Sequence, residues 1–150
     1  MKIKTLIFGV LLFIMNCSIL VTVQAQEIPS SVRTLAEGKA SDNKIVKWVT
    51  DKQREKYIAI TAIGSLIEIS LDGKWLRTTQ LMSEKKLPTV LKNALEPYLD
   101  TNDIDNYAFV DDAAKGKYYI ADLTPKDEDD GDDSTIYIDT NGKIVGKEKR

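Results

Sequence analysis

The side chains of this 150-residue chain that could act on a substrate are few, and their absences decide as much as their presence. There is no histidine. The commonest general base is therefore missing, and with it the Ser-His-Asp and Cys-His nucleophile arrangements and every imidazole metal site. The single cysteine, Cys17, lies in an apolar stretch near the N-terminus. Carboxylates are plentiful, with 23 Asp and Glu, but acid-base work of the glycosidase kind needs two of them positioned in one cleft. No pair stands out, and no Gly-rich phosphate loop or dinucleotide fingerprint is present. The residue inventory argues against an enzyme and calls for no cofactor.

The densest chemical feature is the run Asp127, Glu128, Asp129, Asp130, Gly131, Asp132, Asp133. Clustered carboxylates suit a hard cation such as calcium. The EF-hand spacing fails, however: with Gly131 as the loop glycine, Lys126 falls at the first ligand position and Tyr137 at the last. The run reads better as a solvated hairpin loop. Calcium or small-ligand sensing through Asp127, Asp129, Asp130, Asp132 and Asp133 is the alternative reading, and no metal site is expected otherwise.

These residues have to be positioned by something, and the chain repeats its positioning elements. Ile28-Pro29 and Leu87-Pro88 each open a short helical pattern, with Val32, Leu35 and Ala36 in the first and Leu91, Ala94 and Leu95 in the second. Apolar residues at three- and four-residue spacings form one buried stripe, and a leading proline lacks only an amide hydrogen that would have no partner. Strand-like runs follow in matching order: KIVKWVT at 44–50 and DIDNYAFV at 103–110, then KYIAIT at 56–61 and KYYIADL at 117–123. Last come IEISLDGKWL at 67–76 and IYIDTNGKIV at 136–145. Alternating isoleucines ahead of Asp-Gly or Asn-Gly mark a tight hairpin whose turn needs positive φ angles. The expected fold is α+β: two tandem repeats, 28–80 and 87–148, giving about eight antiparallel strands with two helices on one face.

Helices on one face leave the other uncovered, and alternate strand residues point to opposite sides. With Ile58, Ile60, Ile67, Ile69 and Leu76 assigned to the helices, Tyr57, Glu68, Trp75 and Arg77 fall on the open side. Tyr119 and Tyr137 take comparable places in the second unit. Tyr, Trp and Arg on an uncovered surface are the types that anchor protein contacts, although aromatic residues are enriched in strands for packing alone. These six residues are the candidate partner-binding set.

The chain opens with Lys2 and Lys4, an apolar run from Leu6 to Met15, and Val23-Gln24-Ala25 before Gln26. This is the pattern of a secretory signal peptide over residues 1–25, and Asn16, Cys17 and Ser18 interrupt it too early for a membrane span of about 20 apolar residues. Lipidation at Cys17 after cleavage is the minority alternative. Residues 26–150 then form one domain with 19 positive and 23 negative side chains, net −4, and no cysteine. A secreted domain of this kind has no disulfide framework, and its mild acidity disfavours nucleic acid as a partner. Periplasmic or secreted localisation is expected, with no stable membrane span.

With the two helix openings, the Tyr57–Ile60 strand and the IEISLDGKWL/IYIDTNGKIV echo in place, the chain resembles the PepSY-like family of exported bacterial proteins, which are β-lactamase-inhibitor-like. The likeness spans nearly all of residues 28–148. It implies two helix-and-sheet halves with an open sheet face, and a non-catalytic module that engages, and in one form inhibits, another extracytoplasmic protein. Inhibition of a β-lactamase itself does not follow, because the secreted inhibitors carry disulfides.

Overall fold

The computed structural model describes residues 27–41, 43–127 and 132–150. Helix α1 (Ser30–Lys39) precedes strands β1 (Ile45–Asp51), β2 (Lys56–Thr61), β3 (Leu66–Ser70) and β4 (Trp75–Met82). Helix α2 (Thr89–Leu95), continued by a 3-10 turn over Glu96–Tyr98, precedes β5 (Asn102–Asp112), β6 (Gly116–Pro125), β7 (Ser134–Asp139) and β8 (Ile144–Lys149). Every strand pairs antiparallel with its sequence neighbour, so the eight form one sheet in the order β1 to β8. This is the eight-stranded sheet with two helices that the hydrophobic pattern predicts.

Both helices are too short to persist alone in water, and packing holds them. Pro29 and Pro88 stand at the N-cap, with φ −54° and −58°, one residue earlier than the first-turn position expected. Their carbonyls accept from the Arg33 and Lys92 amides at 3.1 Å each. The residues before them, Ile28 and Leu87, are buried and pin the chain's entry into each helix. Val32 and Ala36 of α1 then pack on Tyr57, Ala59, Ile67 and Ile69. Leu91 and Leu95 of α2 pack on Ala121, Leu123, Ile136 and Ile138. Residues directly opposite each other in a ladder share a face. Tracing those pairs across the sheet (Ile67 to Thr78 to Asp111, and Tyr107 to Ala121 to Ile136) puts both helices on one side.

The β3–β4 and β7–β8 hairpins turn differently from the tight two-residue turn expected. Only Gly73 (φ 84°) and Gly142 (φ 86°) take positive φ there, not Asp72 or Asn141. The Gly73 amide donates to the Ser70 carbonyl and the Ser70 amide to the Lys74 carbonyl, both at 2.9 Å. The second hairpin repeats this with Gly142, Asp139 and Lys143. That is a three-residue loop, a type I turn closed by a left-handed glycine. One step beyond each turn the register slips: Ile69 pairs with Trp75 but Glu68 with Arg77, and Ile138 pairs with Ile144 but Tyr137 with Gly146. Leu76 and Val145 are the extra residues of these bulges, and both are exposed.

Candidate functional site

The bulge at Leu76 and the β2–β3 register redistribute the six candidate residues. Tyr57 pairs with Ile69 and Ala59 with Ile67, so Tyr57 belongs to the helix side, where it is buried against α1. Ile58 and Ile60, expected beneath the helices, face the uncovered side instead, opposite Glu68 and Leu66. Trp75 pairs with Ile69 and also lies on the helix side. There its ring takes Lys39 of α1 at 3.6 Å, and its indole N–H donates to Thr78 Oγ1 at 3.1 Å. Leu76 is not beneath a helix either, because it is the bulged residue. Tyr119 pairs with Ile138 and packs on the second core. Three of the six, Tyr57, Trp75 and Tyr119, are therefore corrected to the covered face. Glu68, Arg77 and Tyr137 stand on the open one.

Those three are joined there by residues that period-two reasoning passed over. Glu68 is the hub. Its Oε2 accepts from Arg77 Nε at 2.7 Å and its Oε1 from Arg77 Nη2 at 3.2 Å, and Lys56 Nζ lies 2.9 Å from that same Oε1. Lys56 and Glu68 are buried, with side chains only 8% and 10% exposed, although neither described helix covers this face. Arg77 stands directly opposite Asp112 on β5. Burial works against the Arg77 charge, but the Glu68 carboxylate more than offsets it and leaves the guanidinium's pKa raised.

The line continues into the second half. Tyr118, opposite Val110 on β5, is buried on the open face, and its ring centroid lies 6.1 Å from that of Tyr137. Burial, with the Asp112 charge beside it, pushes the Tyr118 hydroxyl pKa up, and Arg77 partly counters this. The Tyr137 hydroxyl donates to Glu148 Oε2 at 2.8 Å. Burial first, and then Glu148 as hydrogen-bond partner and charge, push its pKa up to about 12. A continuous polar and aromatic strip thus crosses the uncovered face: Lys56, Glu68, Arg77, Tyr118, Tyr137, Glu148. Half-buried Ile58, Ile60, Leu66 and Ile120 and exposed Leu81 flank it. Tyr118 was the residue to find from sequence. The signal was its adjacency to Tyr119, since one of two neighbours in a strand must face the open side.

Toward the other end of β5–β7 the same face carries a second network. Asp122 accepts from Thr135 Oγ1 at 2.7 Å and from Asn106 Nδ2 at 3.4 Å, and the Arg150 guanidinium lies 3.7 Å from it. Of the acidic run, Asp132 pairs with Lys149 at 3.2 Å and Asp133 lies 3.9 Å from Arg150. Asp127 is exposed. Asp129 and Asp130, like residues 1–25 and Cys17, lie outside the described residues. Among the described residues no group of three or more acidic side chains is placed to hold a metal, and no helix is long and apolar enough to cross a membrane.

Among the described residues, grooves open on the helix side. One of about 490 Å³ runs beneath α2, lined by Leu87, Leu95, Ile104, Tyr107, Glu84 and Lys92. Burial, then the Glu84 charge, raises the Tyr107 pKa.

No family model matches the chain, and no curated protein does. Solved structures do match. A DUF2874 family protein from Bacteroides ovatus superposes with a TM-score of 0.68 at 17% identity, over 81% of this chain and 86% of its own. A second DUF2874 family protein, from Bacteroides uniformis, gives 0.68 at 12% identity, over 81% and 89%. A BLIP-like protein from Bacteroides fragilis gives 0.69 at 12% identity, over 83% and 89%. The fold is BLIP-like.

Proposed function

We propose that this protein is a non-catalytic extracytoplasmic binding module that engages another exported protein through its uncovered sheet face. One observation carries the reading: the Lys56–Glu68–Arg77–Tyr118–Tyr137–Glu148 strip gathers desolvated charge and two adjoining, mutually tilted tyrosine rings on a face that neither described helix covers. Contact energy concentrates in Tyr and Arg side chains seated in water-excluding surroundings. Here Arg77, Tyr118 and Tyr137 form the centre, with Ile58, Ile60, Leu81 and Ile120 as an apolar surround. The signal-like residues 1–25 support export to the periplasm or beyond, and the likeness to a BLIP-like fold is in keeping with inhibition as one form of engagement.

Two tandem copies of one unit, 28–80 and 87–148, belong to the same proposal, as does kinship with PepSY-like proteins. In support, Trp48 and Tyr107, Ala59 and Ala121, Ile67 and Ile136, and Ile69 and Ile138 take matching places beneath α1 and α2. The Ile60 and Asp122 positions, a mismatch if both were core, both face the open side, where polarity is free to vary.

The test is capture from the native envelope fraction by the wild type and by Arg77→Ala and Tyr137→Ala chains. A true partner is lost about 30-fold or more from the face variants and retained by Lys39→Ala on the covered side. Equal capture by all four, or turnover of a broad hydrolase substrate panel by the pure protein, would overturn the reading.

A further inference from the structure

Strand β1 ends the described sheet on one side and β8 on the other, and an edge strand leaves a row of backbone groups unpaired. Which groups these are on β1 follows from the neighbouring ladder. Consecutive residues of an antiparallel strand turn their N–H and C=O to opposite neighbours. The Thr61 amide donates to the Ser65 carbonyl and the Leu71 amide to the Glu55 carbonyl, so the odd-numbered residues of β2 serve β3. The even-numbered residues Lys56, Ile58 and Ile60 serve β1, in step with the bond from the Ala62 amide to the Lys44 carbonyl. Their partners are Asp51, Val49 and Lys47. Trp48 and Thr50 therefore aim their N–H and C=O away from the sheet.

We infer that this edge docks a second copy of the chain, with β1 antiparallel to β1 about a two-fold axis through Val49. On the C-terminal side of the irregularity between Ile45 and Lys47, Trp48 and Thr50 offer the outward groups, and three registers pair them: each residue opposite itself, or Trp48 opposite Thr50. The mixed register sets Lys47 of each copy opposite Asp51 of the other. Both side chains lie on the uncovered face, opposite Ile60 and Lys56, and occupy the non-hydrogen-bonded positions where side chains approach closest. The self-opposed registers put Lys47 or Asp51 against Val49, with no counter-charge. Asp51 Oδ1 already accepts the Arg54 amide at 3.0 Å and its Oδ2 lies 4.0 Å from Arg54 Nε, a long contact that leaves the carboxylate further acceptor capacity.

Strand β8 lacks this self-complementarity. The Asp139–Lys143 and Arg150–Asp133 backbone bonds place Gly146 and Glu148 toward β7 and turn Lys147 and Lys149 outward. Self-pairing through these residues sets Lys147 against Lys147, Lys149 against Lys149, or Glu148 against Glu148, like charges in every case and the lysine-guarded condition of a protected edge. Pairing through β1 alone closes as a two-fold dimer. It joins two eight-stranded sheets with their helices on the same side, so two copies of the strip lie on one continuous face.

Sedimentation equilibrium of the purified protein, up to about 1 mM chain, decides the matter. The wild type dimerises with concentration. Thr50→Pro, which removes an outward N–H that an edge strand does not use internally, stays monomeric with an unchanged melting temperature. Lys47→Asp raises the dissociation constant about tenfold, and adding Asp51→Lys restores it. A wild type monomeric throughout, or a folded Thr50→Pro chain that dimerises undiminished, would overturn the inference.

Discussion

Arg77 holds Glu68 with two hydrogen bonds, at 2.7 and 3.2 Å, from one side while Lys56 takes the same carboxylate at 2.9 Å from the other. Two cations thus share one buried anion on the face away from both described helices. Removing one member of a buried ion cluster leaves uncompensated charge and costs about 3–5 kcal/mol. Glu68→Ala is expected to lose stability in that range by urea denaturation. Replacing Lys56 and Glu68 together by Met and Leu removes the desolvated pair and recovers most of the loss. Arg77, its side chain 40% exposed, stays in contact with water. If Glu68→Ala cost under about 1 kcal/mol, the pair would be behaving as an exposed one.

Tyr137 gives the strip a signature in alkali. Its folded-state pKa of about 12 exceeds the ordinary phenol value of about 10, so the folded chain keeps a proton that the unfolded chain releases first. Stability therefore falls as pH rises from about 10 toward about 12. In a tyrosinate absorbance titration, the wild type is expected to show a late-ionising step that Tyr137→Phe removes. Glu148→Gln moves that step to lower pH, because the Glu148 charge disfavours a second anion beside it. A step unchanged in Tyr137→Phe would assign it to Tyr107 or Tyr118, whose pKa values burial also raises.

Much of this architecture is legible in residue order. Isoleucines two apart with a following glycine locate both hairpins, and the Ile-Pro and Leu-Pro openings locate both helices. Strand faces are another matter. In β2 both parities are apolar (Tyr57, Ala59 on one, Ile58, Ile60 on the other), so alternation cannot say which set meets a helix, and register settles it through Ala59 opposite Ile67. In β4 the extra residue Leu76 breaks alternation between Trp75 and Arg77. A bulge of one residue carries no composition of its own. The strip was hidden for a further reason: Lys56, Glu68 and Arg77 meet across three strands, a contact that only the pairing reveals.

Trp75 separates packing from recognition. It lies under α1 with Lys39 over its ring, and Trp75→Ala is expected to cost about 3 kcal/mol through lost packing. Partner capture by the folded fraction stays at the wild-type level, in contrast to Arg77→Ala. Lys39→Ala removes only the cation–π contact, worth about 0.5–1 kcal/mol at an exposed site. Thermal melts alongside the capture experiment check both, and loss of capture in a folded Trp75→Ala chain would return this side chain to the binding surface.

The two hairpin glycines make an internal comparison. Gly73 and Gly142 share a left-handed φ, 84° and 86°, and alanine in that region costs about 1–2 kcal/mol. Around Gly73 an added Cβ meets open space, whereas at Gly142 it meets the Val90 carbonyl oxygen of α2 at 2.9 Å and the Val90 Cβ at 3.4 Å. The second hairpin is thus docked against its helix, and relief of the overlap requires the turn or α2 to shift. Gly142→Ala is expected to lower the melting temperature more than Gly73→Ala, and to raise hydrogen exchange in α2 where Gly73→Ala leaves it unchanged. Equal losses, with α2 exchange unaltered in both, would mean that the turn conformation alone sets the cost and that the Val90 contact yields without consequence.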